Sequence, residues 1–110
     1  MKITSENQIL FFKNNEIIRF ESIDRSTIIH FINGTSSEIH EPINSIEKQL
    51  IDVDFIRIHD EHIINVNYIA KIAGGTTCFV ELSNANILPI NSAQKEIILE
   101  ILSNHLNNKH

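Results

Sequence analysis

The stretch DFIRIHDEHIINVNYI, residues 54–69, decides how this chain is expected to fold. In its first part the aliphatic Ile56 and Ile58 alternate with other side chains, which is the period of two expected for a strand whose faces see different surroundings. A second apolar run begins at Ile63, directly after the polar segment HDEH, residues 59–62. This pattern predicts two strands joined by a short turn that carries the densest group of ionisable side chains in the sequence.

Short strands are also predicted on both sides of this pair. Isoleucine is the commonest apolar residue and tryptophan is absent, so β-branched side chains that suit a pleated surface supply most of the core. Asn33-Gly34 is a strong two-residue hairpin signal because both positions tolerate positive φ. The polar break at 13–15 also has hairpin length, and Pro89 indicates an edge strand. The predicted strands cover residues 9–12, 16–22, 27–32, 36–40, 77–82 and 87–90.

Two segments have the period of a helix instead. After a proline that fits a first helical turn, apolar side chains with helical spacing predict a short helix over residues 42–50. Asn91 can cap a final helix with Gln94 at the third position, and the polar tail from Asn104 is expected to fray. The apolar face of this final helix consists of Ile97, Ile98, Ile101 and Leu102. Many short strands, one internal helix and a C-terminal helix predict a mainly β fold rather than a βαβ fold.

Length and composition predict one domain spanning residues 1–110. The chain is 42% apolar and 21% charged, as in ordinary globular proteins, and it contains neither a membrane-length apolar run nor a signal-peptide core. We therefore expect a cytoplasmic protein without a membrane segment. The formal charge of −5 argues against nucleic-acid binding by bulk attraction to phosphate, so any such role must come from local geometry.

The sequence offers little for catalysis or for a bound cofactor. His59 and His62 are metal-binding residue types, but their spacing is not that of a helical zinc-binding pair, and turn side chains that face solvent are the simpler interpretation. Cys78 is the only cysteine; it lies in an apolar run and is expected to be a small buried side chain rather than a nucleophile. Gly74-Gly75 lacks the lysine and hydroxyl residue of a phosphate loop. No enzyme, metal site or cofactor is therefore predicted.

Five segments of the chain come in the order and at roughly the separations of a LytTR DNA-binding domain. The most specific match is FIRIH followed by IINVNYI, which resembles the family signature of Phe-x-Arg-x-His, a short polar step and Val-Asn-x-x-x-Ile. LPIN, residues 88–91, resembles the family's Leu-Pro-Val-Ser step. The segments are NEIIRFES (15–22), IIHFING (28–34), INSIEKQL (43–50), FIRIHDEHIINVNYIAKI (55–72) and VELSNANILPIN (80–91), so the resemblance covers about residues 9–102.

This resemblance implies an elongated, mainly β domain of antiparallel sheets from a bacterial response regulator or related transcriptional regulator. Such domains bind promoter repeats in double-stranded DNA by inserting three loops, rather than a recognition helix, into successive major grooves. It also implies further partners: a second copy in a homodimer on DNA, and an upstream receiver or sensor domain. Carried over by position, the first loop is Asp24, Arg25, Ser26 and Thr27; the second loop is His59, Asp60 and Glu61; the third loop is Asn91, Ser92, Ala93 and Lys95.

The chain departs from the family pattern in two of these loops. Asp60 and Glu61 stand where many members carry Arg, Lys or Asn followed by Ser, and a carboxylate is repelled by phosphate. The third loop lacks the usual pair of arginines. Arg25 and Lys95 are the cations left in the loops, and Arg57 either assists them or pairs with a neighbouring acid. Two functions are therefore open: a sequence-specific DNA-binding domain, or a LytTR-like domain with weakened or lost DNA binding that serves as a protein-interaction or dimerisation module.

Overall fold

The computed structural model of the chain describes residues 1–51 and 54–107. Antiparallel strands and two α-helices make up most of this part, as predicted for a mainly β fold. The strands are β1 (Lys2–Ser5), β2 (Gln8–Phe11), β3 (Ile17–Ile23), β4 (Ser26–Phe31), β5 (Ser36–Ile39), β6 (Phe55–His59), β7 (His62–Asn65), β8 (Ile69–Ala73), β9 (Phe79–Leu82) and β10 (Ile87–Pro89). The α-helices are α1 (Ile43–Gln49) and α2 (Lys95–Asn107), and short 3-10 turns occupy Asn14–Glu16, Val66–Tyr68 and Ser92–Gln94.

A five-stranded antiparallel sheet lies at the centre of the molecule, in the order β5-β4-β3-β7-β6. The β1–β2 ribbon and α1 pack on one of its faces, and the three-stranded sheet β10-β9-β8 packs with α2 on the other. The layers measure 43 × 29 × 24 Å along the principal axes. This is the elongated architecture of antiparallel sheets that the family resemblance implies.

Each face of the central sheet has its own apolar core. On the α1 side the rings of Phe20 and Phe55 meet edge to face, with centroids 5.5 Å apart. The other buried members on this side are Ile3, Ile17, Ile29, Ile39, Ile43, Ile46 and Ile63. The core on the α2 side consists of Ile18, Ile58, Ile64, Val66, Cys78, Val80, Leu82, Leu88, Ile90, Ile98 and Leu102. Because successive side chains of a strand point to opposite faces, neighbouring isoleucines of β7 supply different cores.

The β6–β7 hairpin confirms the strand pair predicted from residues 54–69. Ile56 lies opposite Ile64, and a register shift between Arg57 and His59 precedes the two-residue turn. β7 also pairs with β3, so the hairpin is joined to the middle of the central sheet. β6 and β7, which carry the most distinctive sequence pattern, therefore contribute side chains to both apolar cores.

Asn65 anchors the end of this hairpin from inside the protein. It is 1% exposed, and its Nδ2 donates to the carbonyls of Ile17 at 2.9 Å and Asn14 at 3.3 Å. Its Oδ1 accepts from the Asn67 amide at 3.0 Å, which starts the 3-10 turn after β7. One buried amide side chain thus fixes both the end of β7 and the approach to β3.

Replacing Asn65 by alanine is expected to lower the free energy of unfolding by about 2 to 3 kcal/mol, because buried backbone groups lose their hydrogen-bond partner. Urea denaturation of the full chain measures this change. Asn67→Ala is the matched control, since that side chain is exposed, and it should cost less than about 0.5 kcal/mol. Equal stability of the two variants would show that the Asn65 side chain does not anchor the hairpin.

Two predicted connections differ from the structure. The break at 13–15 is not a hairpin loop: Asn14–Glu16 forms a 3-10 turn, β2 pairs with β1, and β3 pairs with β4 and β7. The prediction fails because β1, at the N-terminus, pairs with β2 in place of β3. The alternate side chains of β1 are buried. The predicted β4–β5 hairpin does form, but only Gly34 has a positive φ, 91°, while Asn33 does not, so its loop has four residues rather than two.

The last strand and helix agree with the prediction in part. Pro89 lies in β10 at the edge of the three-stranded sheet, as predicted. α2 continues to Asn107, so the expected fraying is wrong for residues 104–107, and the rest of the tail, residues 108–110, lies outside the described residues. Half of the predicted apolar face is outside the core, because Ile97 is 63% and Ile101 40% exposed.

Candidate nucleic-acid interface

The three loops singled out by sequence lie side by side along one edge of the molecule. The first loop follows β3 and the second precedes β7, and these two strands are paired. The Ser22 amide donates to the Glu61 carbonyl at 2.9 Å, and the Asn91 amide donates to the Ile58 carbonyl at 2.7 Å. The first loop therefore adjoins the second, and the second adjoins the third. This contiguous surface is called the loop edge.

Only part of the first loop is accessible. Asp24 and Arg25 form the exposed turn, and Asp24 adopts a positive φ of 54°, which aspartate tolerates better than most residues. Ser26 begins β4, with its Oγ 3.3 Å from His40 Nδ1. Thr27 is fully buried, and its hydroxyl donates to a backbone carbonyl at 2.8 Å. Thr27 thus supports the turn from below, while Asp24 and Arg25 form its surface.

Arg57 holds the second loop in place through its backbone. Its Nε donates to the His59 carbonyl at 2.9 Å and its Nη2 to the Asp60 carbonyl at 2.5 Å. The same guanidinium pairs with Glu47 at 2.7 Å and donates to Asn44 Oδ1 at 2.9 Å, which ties the turn to α1. Of the two roles open for Arg57, pairing with a neighbouring acid is the one that the structure contains. Its guanidinium is already paired with Glu47, so Arg57 acts as a positioning residue.

The second loop presents two carboxylates at the centre of the loop edge. Asp60 and Glu61 are both exposed, and the Glu61 amide donates to His59 Nδ1 at 3.2 Å. Backbone hydrogen bonds therefore fix the shape of the turn while its acidic side chains remain in solvent. The middle of the edge is negative, which opposes a close approach of phosphate.

The third loop is a capped turn that starts α2. Asn91 Oδ1 accepts from the Ala93 amide at 3.0 Å, as predicted for a capping residue. Ser92 and Ala93 are exposed, whereas Lys95 is half-buried and its Nζ donates to the Gly75 carbonyl at 3.2 Å. An exposed lysine hydrogen bond of this kind exchanges readily with solvent or a phosphate oxygen. Lys95 therefore supplies a cation at this end of the edge.

A hollow of about 430 Å³ joins the second and third loops. Its polar rim includes His59, Asp60 and Asn91, and its apolar part includes Ile97 and Ile101. This accounts for the exposed half of the α2 apolar face, which borders the loop edge instead of the core. Apolar side chains beside such loops can contact the methyl group of thymine.

A partly buried polar network lies behind the first two loops. Glu21 accepts from His30 Nε2 at 2.8 Å and lies 3.6 Å from Arg19 Nη1, and Arg19 Nε donates to Asn86 at 3.3 Å. Burial alone would raise the pKa of Glu21, but the His30 hydrogen bond and the Arg19 charge bring it below the ordinary value. Arg19 is 8% exposed and does not reach the surface as a cation. Sequence reasoning missed this network because it depends on the pairing of β3 with β4 and on Asn86 from the distant turn between β9 and β10.

His62 does not face solvent as the simple interpretation of HDEH expected. It is 8% exposed because it begins β7 beneath the turn, and its ring lies 5.5 Å from that of His59. Burial, with the nearby positive charge of Arg19, lowers the pKa of His62 below its ordinary value. Within residues 1–51 and 54–107, no three His, Cys, Asp or Glu side chains are placed to hold a metal ion.

Stability should fall as the pH drops below about 6.5, because His62 is kept neutral in the folded protein. Below that pH the unfolded chain binds a proton that the folded chain does not bind until its lower pKa is reached. Urea denaturation from about pH 8 to about pH 5 measures the decline. It should be much smaller in His62→Gln. A full decline in His62→Gln would contradict this assignment.

The fold and the loop edge define a class: a mainly β domain with a row of loops presented along one edge. A family model for the LytTr DNA-binding domain matches residues 7–103, and the chain belongs to that family.

No curated protein matches the chain. A solved structure from Bacillus cereus, described as the LytTr DNA-binding domain of a methyl-accepting/DNA response regulator, superposes with a TM-score of 0.75 at 18% identity. The match covers 93% of this chain and 94% of that one, and at this identity it shows the fold alone. The family is a DNA-binding rather than a catalytic one, and no described helix is long and apolar enough to cross a membrane.

Proposed function

We propose that this chain is the sequence-specific DNA-binding domain of a transcriptional regulator and that it inserts the loop edge into the major groove of promoter repeats. The observation that carries the proposal is the hydrogen-bonded succession of the three loops along one edge. The first two loops are two strand spacings apart, roughly 10 Å, which corresponds to about three base pairs of a duplex. An edge with this spacing can read neighbouring positions of one site.

The loop edge offers DNA two groups of polar side chains, exposed or half-buried, that differ in chemistry. Arg25 and Lys95 are its cations and would contact phosphate. His59, Asn91 and Ser92 carry polar groups that can hydrogen-bond to base edges. The remaining residues of the three loops are Asp24, Ser26, Thr27, Asp60, Glu61 and Ala93, which shape the turns or place negative charge beside the bases. Few cations and several short polar groups favour base readout over general attraction to DNA.

Fluorescence anisotropy with labelled duplexes tests this function. DNA from upstream of the gene's own operon, and sites selected from a random pool, should bind more tightly than random DNA at low salt. Because few phosphates are contacted, the dependence of log affinity on log salt should be shallow, with a slope of about −2 for two cations. Equal affinity for selected and random DNA would overturn sequence-specific binding.

A second candidate is a protein-interaction or dimerisation module with weakened DNA binding. The observation that favours it is the charge of the loop edge, where Asp24, Asp60 and Glu61 outnumber Arg25 and Lys95 and Arg57 is already paired. Light scattering after size-exclusion chromatography, with and without DNA, separates the candidates. A complex that forms only with another protein favours this module. DNA-dependent assembly favours the regulator and its proposed partners, a second copy on DNA and an upstream receiver or sensor domain.

A further inference from the structure

Within the described residues nothing packs on the outer face of the three-stranded sheet, which is partly apolar. The inner face of this sheet packs on the α2-side core. On the outer face, Lys71, Ala73, Phe79, Glu81 and Ile87 line a shallow hollow of about 310 Å³. Ile87 is 62% and Phe79 38% exposed. Exposed apolar side chains grouped on one sheet face, with charges beside them, are typical of an interaction surface.

The register of β8 and β9 makes this face complementary to itself. Lys71 lies opposite Glu81, and Ala73 lies opposite Phe79. Across the two strands, a positive side chain therefore sits beside a negative one, and a small side chain sits beside a large one. Neither Lys71 nor Glu81 forms an ion pair with another residue in the described part of the chain. Both charges are left free for a partner.

We propose that this outer face docks against the same face of a second copy of the chain. A two-fold axis that runs along the strands, between β8 and β9, exchanges the two rows of side chains. Each Lys71 then lies over the partner subunit's Glu81, and each Phe79 ring lies over the partner subunit's Ala73, where the small side chain leaves room. Both contacts occur twice, as required of an interface formed by one surface on both subunits.

The dimer is weak by itself because the face is small. With this axis only β8 and β9 overlap the partner while β10 with Ile87 lies at the rim, so the buried area is less than the roughly 800 Å² per partner of stable interfaces. The dimer therefore forms mainly when two copies sit on neighbouring DNA repeats, and this consequence rests on the proposed DNA-binding function. The association in solution does not depend on that function, so the two can be tested apart.

Sedimentation equilibrium of the full chain without DNA, up to about 1 mM, tests the interface. Lys71→Glu makes both charged positions of the face negative, and Glu81→Lys makes both positive. Each variant alone should associate at least about tenfold more weakly than the wild type, because like charges meet twice across the axis. An equimolar mixture of the two variants should recover the wild-type association, since opposite charges meet again.

Recovery in the mixture cannot come from a change within one chain, because neither variant alone contains an opposite-charge pair on the face. Thermal unfolding of each variant establishes that it is folded. The proposal is overturned if the wild type stays monomeric at about 1 mM. It is also overturned if the mixture stays monomeric at concentrations where the wild type associates. Either result would mean that this face binds a different partner. Binding to a duplex with a single repeat reports on the loop edge separately.

Discussion

Replacing Asp60 by lysine and Glu61 by serine is expected to raise the affinity for DNA by about tenfold or more at low salt. The double substitution moves the charge of the second loop by three units in the positive direction, and each exposed charge contributes about 0.5 to 1 kcal/mol near phosphate. The turn should keep its shape, because Arg57 holds it through the backbone carbonyls of residues 59 and 60. Anisotropy titrations across a range of salt concentrations measure the change, and the new lysine should steepen the salt slope by about one.

The matched control changes the net charge equally but away from the loop edge. Glu16→Lys with Asn15→Lys also adds three positive units, at exposed positions of the first 3-10 turn, which lies at the other end of β3 from the first loop. At about 0.1 M salt this control should raise the affinity far less, since the Debye length is then about 10 Å. If the control gains as much as the loop variant, the effect is one of net charge. If the loop variant gains nothing at low salt, the second loop does not face DNA.

The Arg57→Ala variant is expected to lose at least about tenfold in DNA affinity although Arg57 does not need to touch DNA. The substitution removes the hydrogen bonds to the two carbonyls of the second loop and the pair with Glu47, so the turn is no longer fixed relative to α1. Because these contacts are only partly buried, the free energy of unfolding should fall by no more than about 1 to 2 kcal/mol. Anisotropy and urea denaturation on the same sample separate the two effects.

Arg57→Lys distinguishes positioning from direct phosphate contact. A lysine retains the charge but cannot reproduce the planar set of donors, so it should bind DNA nearly as poorly as Arg57→Ala, with an unchanged salt slope in both variants. A direct phosphate contact predicts a different pattern. In that case Arg57→Lys would keep most of the affinity, and Arg57→Ala would reduce the salt slope by about one.

The architecture could be predicted from the sequence because its signals are local. The alternation in residues 55–59 and the polar step to Ile63 specify the β6–β7 hairpin, and the helical spacing after Pro42 specifies α1. The many short strands supplied the mainly β class, and the match of these segments to a family pattern supplied the elongated LytTR-like architecture; the structure and its likeness to a solved LytTr domain confirm both. Local signals failed where pairing partners compete, as when β1 rather than β3 pairs with β2.

The residues of the loop edge could be named from sequence, but their individual environments could not. Thr27 is buried and Lys95 is hydrogen-bonded to a loop twenty residues away, and both facts follow from tertiary packing. The role of Arg57 depends on α1, which its own strand does not reveal. The buried position of His62 likewise follows from the pairing of β7 with β3. Residue type and spacing give the chemistry of such a surface, whereas exposure and partners require the fold.

Amide chemical-shift mapping of the isotope-labelled chain bound to a selected duplex tests the central claim most directly. The largest shifts should fall at residues 24–26, 59–61 and 91–95, which together form the loop edge. The Asn33-Gly34 turn lies at the opposite end of the central sheet and should shift little. Largest shifts at that opposite end, or an even spread over the whole chain, would contradict DNA binding through the loop edge.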